Sequence, residues 1–316
     1  MATGSIWGFA GMSVHGLWRG RATLCNGRTV VTPMAQQYPL KVAKAFAQAN
    51  GGASICLMEA SPGLFNGDVQ EVDCQVEPGA ALHVRTQSSC KIHPGVVETP
   101  SQQRVTLSVA AKGLLSYLPG PLVPFAGASH DSETMIHLQA GAVCVLGEVL
   151  TPGRVGYGEV FAYERVSSRV SVFLKGQLVA RDALMLTGKS LQRGGAAQSL
   201  GGFTHLGTLW ILSPSVNAQV VAALQNALKT GLSQDEFPVQ TNPGVKDFLL
   251  NAESSETTEF TPAMYTGCSL LAASGMVVRI LGLSAESLHR RMTEVLVWLE
   301  RRGVVAEVFP NKYPCR

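Results

Sequence analysis

The feature that most constrains this fold is a strand–turn–strand unit that recurs along the chain. Segments 73–82, 105–115 and 134–143 share an alternating apolar pattern, and each has a glycine at its turn, at Gly79, Gly113 and Gly141. Glycine adopts the positive φ that tight turns need, and a recurrence of about 30 residues is typical of stacked units. The sequence therefore predicts a mainly β body of stacked antiparallel hairpins and sheets, β-helix-like or a sandwich. A further hairpin is predicted to turn at Lys175-Gly176.

The length and composition allow one large core. Of the 316 residues, 46% are apolar and 15% are charged, so the chain can bury its core as one large domain or two smaller ones. The recurring unit favours a single domain over residues 1–316, with an N-terminal extension at 1–16. Segment 233–262 is polar and contains six acids, which predicts a mobile surface loop.

Charge and cysteine usage limit the partners and the compartment. A net charge of +3 is too small to indicate nucleic acid, and no apolar run approaches the roughly 18 residues of a membrane span. The seven cysteines are odd in number and scattered, which favours reduced thiols and a cytoplasmic protein. The first 58 residues contain five Lys or Arg and no acid, as organelle transit peptides do, so a targeting segment stays open.

Two helices are predicted in the C-terminal third. Ser213 or Ser215 can cap the first, which ends at Gly231, and Ser284 can cap the second, which ends before Gly303. Apolar residues recur at helical spacing in both. They are Val220, Val221, Leu224 and Leu228 in the first helix, and Leu288, Met292, Val295, Leu296 and Leu299 in the second.

The stretch 61–93 changes from apolar to polar partway along. After a Gly67-Asp68 turn and a first strand, a second strand is predicted over 80–91, and its last third is rich in Thr, Gln, Ser and Lys. Buried polar side chains must each find a partner, so this strand end indicates a wet cleft or channel. A solvated strand end explains the same residues equally well.

Two connecting segments carry candidate functional residues. Pro119 and Pro121 exclude helix and central strand, which predicts a rigid extended crossing over 118–125. Arg154 and Glu159 lie among three glycines in segment 153–159. They are either solvated turn charges or the lining of a polar cavity shared with Asp68.

Residue chemistry alone leaves the function open. Asp68 and Glu159 could form an acid/base pair, and Cys90 could act as a nucleophile beside His83 or His130. Cys90 also forms a Cys-x-x-His pair, but no second pair completes a four-ligand metal site.

Six short motifs follow one another in a fixed order within residues 17–300. They are Pro39-Leu40-Lys41-Val42 with Phe46; Gly63-Leu64 with Gly67-Asp68; Arg85-Thr86-Gln87-Ser88 with Lys91-Ile92-His93; Leu118-Pro119-Gly120-Pro121 with Phe125; Gly153-Arg154 with Gly158-Glu159; and Cys268-Ser269 with Val277-Val278-Arg279-Ile280. In this order they resemble the urease accessory protein D family, also called H. Each motif is weak alone, but six in register are specific.

The resemblance implies a non-enzymatic chaperone of urease maturation. A protein of this kind binds apo-urease with an F-type accessory protein and, through it, a G-type GTPase. It conducts nickel through an internal polar passage to the urease active site. The resemblance implies no tightly bound cofactor and no permanent metal site, because nickel is in transit and four soft ligands would retain it.

The resemblance also assigns roles to residues. The polar residues implied to line or serve the passage are Asp68, Thr86, Gln87, Ser88, Lys91, Arg154 and Glu159. Asp68 and Glu159 would contact nickel transiently, and Lys91 and Arg154 would position the carboxylates. The residues implied to shape the motifs are Gly63, Gly67, Pro119, Pro121, Gly153 and Gly158.

Two other classes of protein stay open. A β-rich hydrolase would use Asp68 and Glu159, or Cys90, and would turn over a small substrate as the isolated chain. A purely structural scaffold of the activation complex would have no passage. In a scaffold, polar substitutions inside the fold would lower stability without selectively lowering urease activation.

Overall fold

The computed structural model describes residues 13–195, 199–230, 264–273 and 275–306, and these form a β-rich body with two long helices. The strands are β1 (His15–Cys25), β2 (Arg28–Gln37), β3 (Leu40–Lys41), β4 (Ala45–Ala47), β5 (Ala53–Glu59), β6 (Leu64–Phe65), β7 (Val69–Val76), β8 (Ala81–Thr86), β9 (Cys90–His93), β10 (Ser101–Val109), β11 (Leu114–Leu118), β12 (Leu122–Pro124), β13 (Ser129–Leu138), β14 (Val143–Leu150), β15 (Arg165–Leu174), β16 (Gln177–Thr187), β17 (His205–Leu212), β18 (Met264–Leu270) and β19 (Gly275–Gly282). The long helices are α1 (Ala218–Thr230) and α2 (Ala285–Glu300), and short helical turns span Val155–Tyr157, Gly188–Ser190 and Leu191–Gly195.

The strands form two facing sheets and a short third side. The first sheet has the order β16-β15-β13-β10-β7-β1-β2, and the second has the order β18-β19-β17-β14-β11-β8-β5-β3. The short strands β6, β9 and β12 pair in parallel and form the third side, which joins the second sheet through β12 and β14. The chain therefore winds around three sides, coil after coil.

The predicted mainly β, β-helix-like body is confirmed, but the antiparallel hairpins expected in the recurring unit are wrong. Each turn leads from the first sheet to the second, so β7 and β8, which it connects, do not pair with each other. Neighbouring strands come from successive coils and pair in parallel, as β7 does with β10 and β8 with β11. Alternation is the same in both arrangements, so it could not distinguish them. The predicted hairpin at Lys175-Gly176 is confirmed, since β15 and β16 pair in antiparallel fashion.

The turn glycines do not all have the same role. Gly79 and Gly141 have φ of 74° and 79°, as predicted, but at the middle turn the positive φ falls on Lys112, at 61°. Gly113 is needed for space instead, because an added Cβ would lie 3.1 Å from a side-chain carbon of Val76.

The second strand predicted over 80–91 is broken. β8 ends at Thr86, residues 87–89 turn the corner, and β9 begins at Cys90 on the third side. The polar run therefore lies at a corner of the coil, where backbone direction changes.

Both predicted helices are confirmed. Ser284 caps α2, since its hydroxyl accepts a hydrogen bond from the Ser287 amide at 3.2 Å. The cap of α1 is Asn217, whose side chain accepts from the Val220 amide at 3.0 Å, rather than Ser213 or Ser215. Both helices pack on the outer face of the second sheet. None of the described helices is long and apolar enough to cross a membrane.

Two expectations lie wholly or partly outside the described residues. The predicted loop 233–262 falls within the undescribed range 231–263, and residues 1–12 of the N-terminal extension are also not described.

Candidate functional site

One row of inward-facing residues in the first sheet is polar. Gln70, Gln103, Ser132 and Ser168 are register partners on β7, β10, β13 and β15. Register partners on adjacent strands face the same side of a sheet, so these side chains form a row across the strands and along the axis of the coil. Two residues further along these strands, the inward row is mostly apolar and belongs to the main core.

The second sheet carries a matching polar row. Glu148, Thr208 and Arg279 are register partners on β14, β17 and β19, and Thr86 lies at the end of β8. We call the two facing rows the polar seam; its members are Gln70, Gln103, Ser132, Ser168, Thr86, Glu148, Thr208 and Arg279. Apolar clusters lie on either side of it, the main core and a second cluster around Ile92 and Phe161.

The polar seam borders two cavities. The inner cavity, of about 100 Å³, lies between the two sheets and is lined by seam residues from Gln103 onward and by Asp182 of β16. The outer cavity, of about 130 Å³, is lined by Glu59, Gln70, Asp68 and the exposed Tyr38. Each is large enough for several water molecules, since one water needs about 10–15 Å³.

A chain of hydrogen bonds connects the two cavities. Glu59 accepts from Gln70 Nε2 at 2.6 Å and from the Ser61 hydroxyl at 3.0 Å. Gln70 Oε1 in turn accepts from Gln103 Nε2 at 3.4 Å. The two amide side chains therefore stand between the outer cavity and the inner one.

The inner cavity contains two carboxylates and one guanidinium. Arg279 donates to Asp182 at 2.5 Å and to the Thr208 hydroxyl at 3.1 Å, and the Ser168 hydroxyl donates to Glu148 at 3.5 Å. Desolvation, followed by repulsion from Asp182, raises the pKa of Glu148 to about 7, while Arg279 acts in the opposite direction. A cation arriving beside Glu148 would favour its charged form.

The carboxyl group of Glu59 is similar. Its pKa lies above the ordinary value, chiefly because burial disfavours the charge, although hydrogen bonds from Ser61 and Gln70 oppose the shift. A raised-pKa carboxyl group therefore lies on each side of the amide pair.

Asp68 organises a turn at the edge of the outer cavity. It is buried, and its carboxylate accepts from the Val14 amide at 2.7 Å and the Phe65 amide at 2.9 Å. Gly67 precedes it with φ of 89°. Both carboxylate oxygens thus have backbone donors, which is typical of a carboxylate that shapes its loop.

Glu159 lies at a different place, on the third side. It forms a two-bond ion pair with Arg154 and accepts from the Ala126 amide at 3.1 Å. The hydrogen bond from Arg154 holds the pKa of Glu159 below its ordinary value. Gly153, with φ of 132°, is required here because an added Cβ would lie 2.6 Å from the Glu159 carbonyl oxygen.

A stack of rings connects these two loops along the third side. Phe65 stacks on His93 with ring centroids 4.6 Å apart, and His93 contacts Phe125 edge-on at 4.4 Å. The Arg154 guanidinium lies 4.1 Å from the Phe125 ring centroid. The structure therefore joins Asp68 and Glu159 through an outer stack, and Glu159 is not among the residues that line the two cavities.

The polar run after β8 divides between the interior and the surface. Thr86 lines the inner cavity, where its hydroxyl donates to the Ser88 carbonyl and accepts from the Gly120 amide, both at 2.8 Å. Gln87, Ser88 and Lys91 are exposed at the corner. Of these four residues, only Thr86 faces the interior.

Sequence reasoning missed most of the polar seam, although a signal was present. Gln70 and Gln103 are register partners on β7 and β10, and each stands two residues before an inward valine. A polar residue at the same inward position in successive units predicts a polar row, provided that the units stack in parallel.

The residues proposed for a hydrolase are in unreactive surroundings. Burial raises the pKa of the Cys90 thiol, which keeps it protonated. His83 bonds to the Ser116 hydroxyl and His130 to the Ser101 hydroxyl, and burial lowers both histidine pKa values to about 4. Among the described residues, no three His, Cys, Asp or Glu side chains are grouped as a metal site.

Fold and site together define a β-helical protein with oxygen-rich cavities in its interior. A family model described as "UreD urease accessory protein" matches residues 18–310. A "Urease accessory protein UreD" of Herpetosiphon aurantiacus is 27% identical over 298 residues, covering 94% of this chain and 95% of that protein. Proteins of the same name from Halalkalibacterium halodurans and Lysinibacillus sphaericus are 31% and 29% identical, covering 67% and 65% of this chain and 77% and 76% of their own lengths. The chain therefore belongs to the UreD urease accessory protein family, which confirms the family predicted from its sequence.

Proposed function

We propose that this protein is a non-enzymatic urease maturation chaperone that conducts nickel along the polar seam toward the urease active site. The observation that carries the proposal is the facing pair of polar rows, bordered by two cavities and enclosed by apolar packing. A sheet interior is ordinarily apolar, because a buried polar group without a partner costs free energy. In the polar seam, the polar residue occupies the same inward position in successive coils. A polar route through the protein requires such a continuous row.

The donor set suits passage rather than storage. Amide, hydroxyl and carboxylate oxygens bind a divalent cation, while the soft ligands that hold transition metals most tightly are cysteine thiolates. The thiol of Cys90 borders the inner cavity, and its raised pKa keeps it from being a thiolate. Arg279 pairs with Asp182 and limits the negative charge that a cation would meet.

The proposed route starts at Glu59 and ends at Glu148 and Asp182. Of the residues expected from sequence, Thr86 lines the inner cavity and Asp68 lines the outer one. Transient nickel contact at Asp68 remains a prediction, and its two backbone hydrogen bonds give it a second role in holding the turn. We assign Arg154 and Glu159 to shaping the third side.

Membership of the urease accessory family supports the proposed partners. We propose that the chain binds apo-urease together with an F-type accessory protein and, through it, a G-type GTPase. Cys25, Cys74, Cys90, Cys144 and Cys268 are free thiols in the described part of the chain, which is consistent with the cytoplasmic location that we propose.

The test separates assembly from nickel delivery. The variant Glu148→Gln keeps the size of the side chain and removes its charge, and Glu133→Gln is the matched control on the outer surface, where Glu133 pairs with Arg169. Each variant is mixed with apo-urease, F-type and G-type proteins, nickel chloride and GTP. Co-purification and the nickel content of urease are then measured.

We expect both variants to assemble normally and Glu148→Gln alone to lower urease nickel at least tenfold. Normal nickel content with Glu148→Gln would contradict the passage and favour the purely structural scaffold. Turnover of a small substrate by the isolated chain would favour the hydrolase.

A further inference from the structure

We propose that Gln70 and Gln103 form a gate between the two cavities, and that a divalent cation reaching Glu59 opens it by turning the Gln70 amide. The inference rests on the proposed function and specifies how the route is controlled. Its basis is the position of the two amides, which are register partners on adjacent strands, one lining each cavity.

The two hydrogen bonds of Gln70 differ in length. Its Nε2 donates to Glu59 at 2.6 Å, while its Oε1 accepts from Gln103 at 3.4 Å. Amide hydrogen bonds are usually 2.7–3.2 Å, and charged acceptors bind more strongly than neutral ones. The bond between the two glutamines is therefore the weaker one, and it is the bond that closes the route.

A cation at Glu59 reverses the preference of the Gln70 amide. In the closed arrangement, Gln70 presents N–H groups to the Glu59 carboxylate, and N–H groups cannot ligate a cation. A half-turn of the amide presents Oε1 to the cation instead, and oxygen is a ligand for divalent ions. Gln70 is 3% exposed, so its amide turns inside the protein, between Glu59 and Gln103.

The same half-turn breaks the contact with Gln103. Gln70 then points Nε2 at Gln103 Nε2, which is also a donor, so the two amides no longer attract each other. The Gln103 side chain is free to move aside, and the route to Ser132 and Ser168 opens. After the cation moves on, the two bonds of the closed arrangement re-form.

The test uses one residue pair on a single strand. Gln102 and Gln103 are neighbours on β10 and point to opposite faces, and Gln102 bonds to Arg104 on the outside. Gln103→Leu replaces the gate amide with an apolar group of similar size, and Gln102→Leu is the matched control. Gln70→Met removes the turning amide itself. The measurement is the rate at which apo-urease gains nickel in the assembled complex.

We expect Gln103→Leu to slow nickel transfer at least tenfold, because an apolar side chain then fills the path and offers the cation no oxygen. Gln70→Met should slow it as much, because the oxygen that draws the cation past Glu59 is lost, even though the closing bond is lost too. Gln102→Leu should transfer nickel at the wild-type rate. Gln103→Ala, which leaves an opening, should transfer nickel at least as fast as wild type. If Gln103→Leu does not assemble, the more flexible Gln103→Met is used, with the same expected result.

The outcomes distinguish the gate from the passage. Wild-type transfer by Gln103→Leu and Gln70→Met, together with loss of transfer in Glu148→Gln, overturns the gate and keeps the passage. Slow transfer by Gln103→Ala also overturns the gate, because it shows that the amide is needed as a ligand or a support. Wild-type transfer in all of them, Glu148→Gln included, means that the proposed function itself has failed.

Discussion

Replacing Glu148 with glutamine should stabilise the fold at neutral pH, and the expected gain follows from the pKa of the Glu148 carboxyl group. The pKa of its carboxyl group rises from an ordinary value of 4.5 to about 7 in the folded protein. A difference of this size corresponds to about 3 kcal/mol, at about 1.4 kcal/mol for each pH unit. Glutamine keeps the shape and has no charge to desolvate, so the variant should be the more stable protein.

The sign and the pH window follow from the direction of the shift. Below pH 4.5 the carboxyl group is protonated in both the folded and the unfolded chain, and its titration has no effect on the free energy of unfolding. As the pH rises from 4.5 to 7, the unfolded chain ionises first, which favours unfolding. Above pH 7 the full destabilisation, on the order of 3 kcal/mol, is present.

The assay is urea unfolding of wild type and Glu148→Gln at pH 8 and pH 5. We expect the variant to be more stable by about 3 kcal/mol at pH 8 and by under about 1 kcal/mol at pH 5. The exposed control, Glu133→Gln, should stay within about 0.5 kcal/mol of wild type at both values. An equal difference at both pH values, or a variant less stable than wild type at pH 8, would refute the reasoning.

Three further predictions follow from other parts of the structure. Asp68→Asn should lower the free energy of unfolding by about 1–3 kcal/mol, because two backbone amides lose a charged acceptor; an unchanged urea midpoint would contradict the role of the turn. A thiol reagent at pH 8 should label the exposed Cys25 in the native protein and Cys90 only after denaturation, and mass spectrometry of digested peptides checks this; rapid native labelling of Cys90 would revive the hydrolase. Leu296→Ala, on the buried face of α2, should lower the free energy of unfolding by about 2–5 kcal/mol. Leu178→Ala on the surface should change it by less than about 0.5 kcal/mol. Equal urea midpoints for the two variants would show that the helix does not pack as described.

Local features of the fold could be read from the sequence. The turn at Lys175-Gly176 and the cap at Ser284 depend on neighbouring residues alone, and both were predicted. The first helix was also predicted, but Asn217 rather than a serine caps it. Several polar residues near a helix start can compete for the cap, and the path of the chain before the helix decides among them.

Strand pairing and the interior could not be read in the same way. Alternation shows that residues 73–76 and 80–84 each have an inward face, but not which strand lies beside them. Once strands pair with the next coil, Gln70, Gln103 and Ser132 fall into one row, although they are about 30 residues apart in sequence. Glu148 and Asp182 meet only because the two sheets face each other. By contrast, Glu159 could be selected as a candidate from the sequence, because glycines surround it and Arg154 in segment 153–159. The structure shows that these glycines shape the loop that holds the ion pair between the two residues.

The most direct test of the central claim is to locate a divalent ion inside the protein. Crystals soaked in nickel chloride and measured at the nickel absorption edge give an anomalous difference map. The account predicts peaks between the two sheets, within coordination distance of the Glu59 and Glu148 carboxylates, and their loss in Glu59→Gln and Glu148→Gln. Nickel peaks only on the outer surface, with the space between Gln103 and Glu148 empty of them, would contradict it.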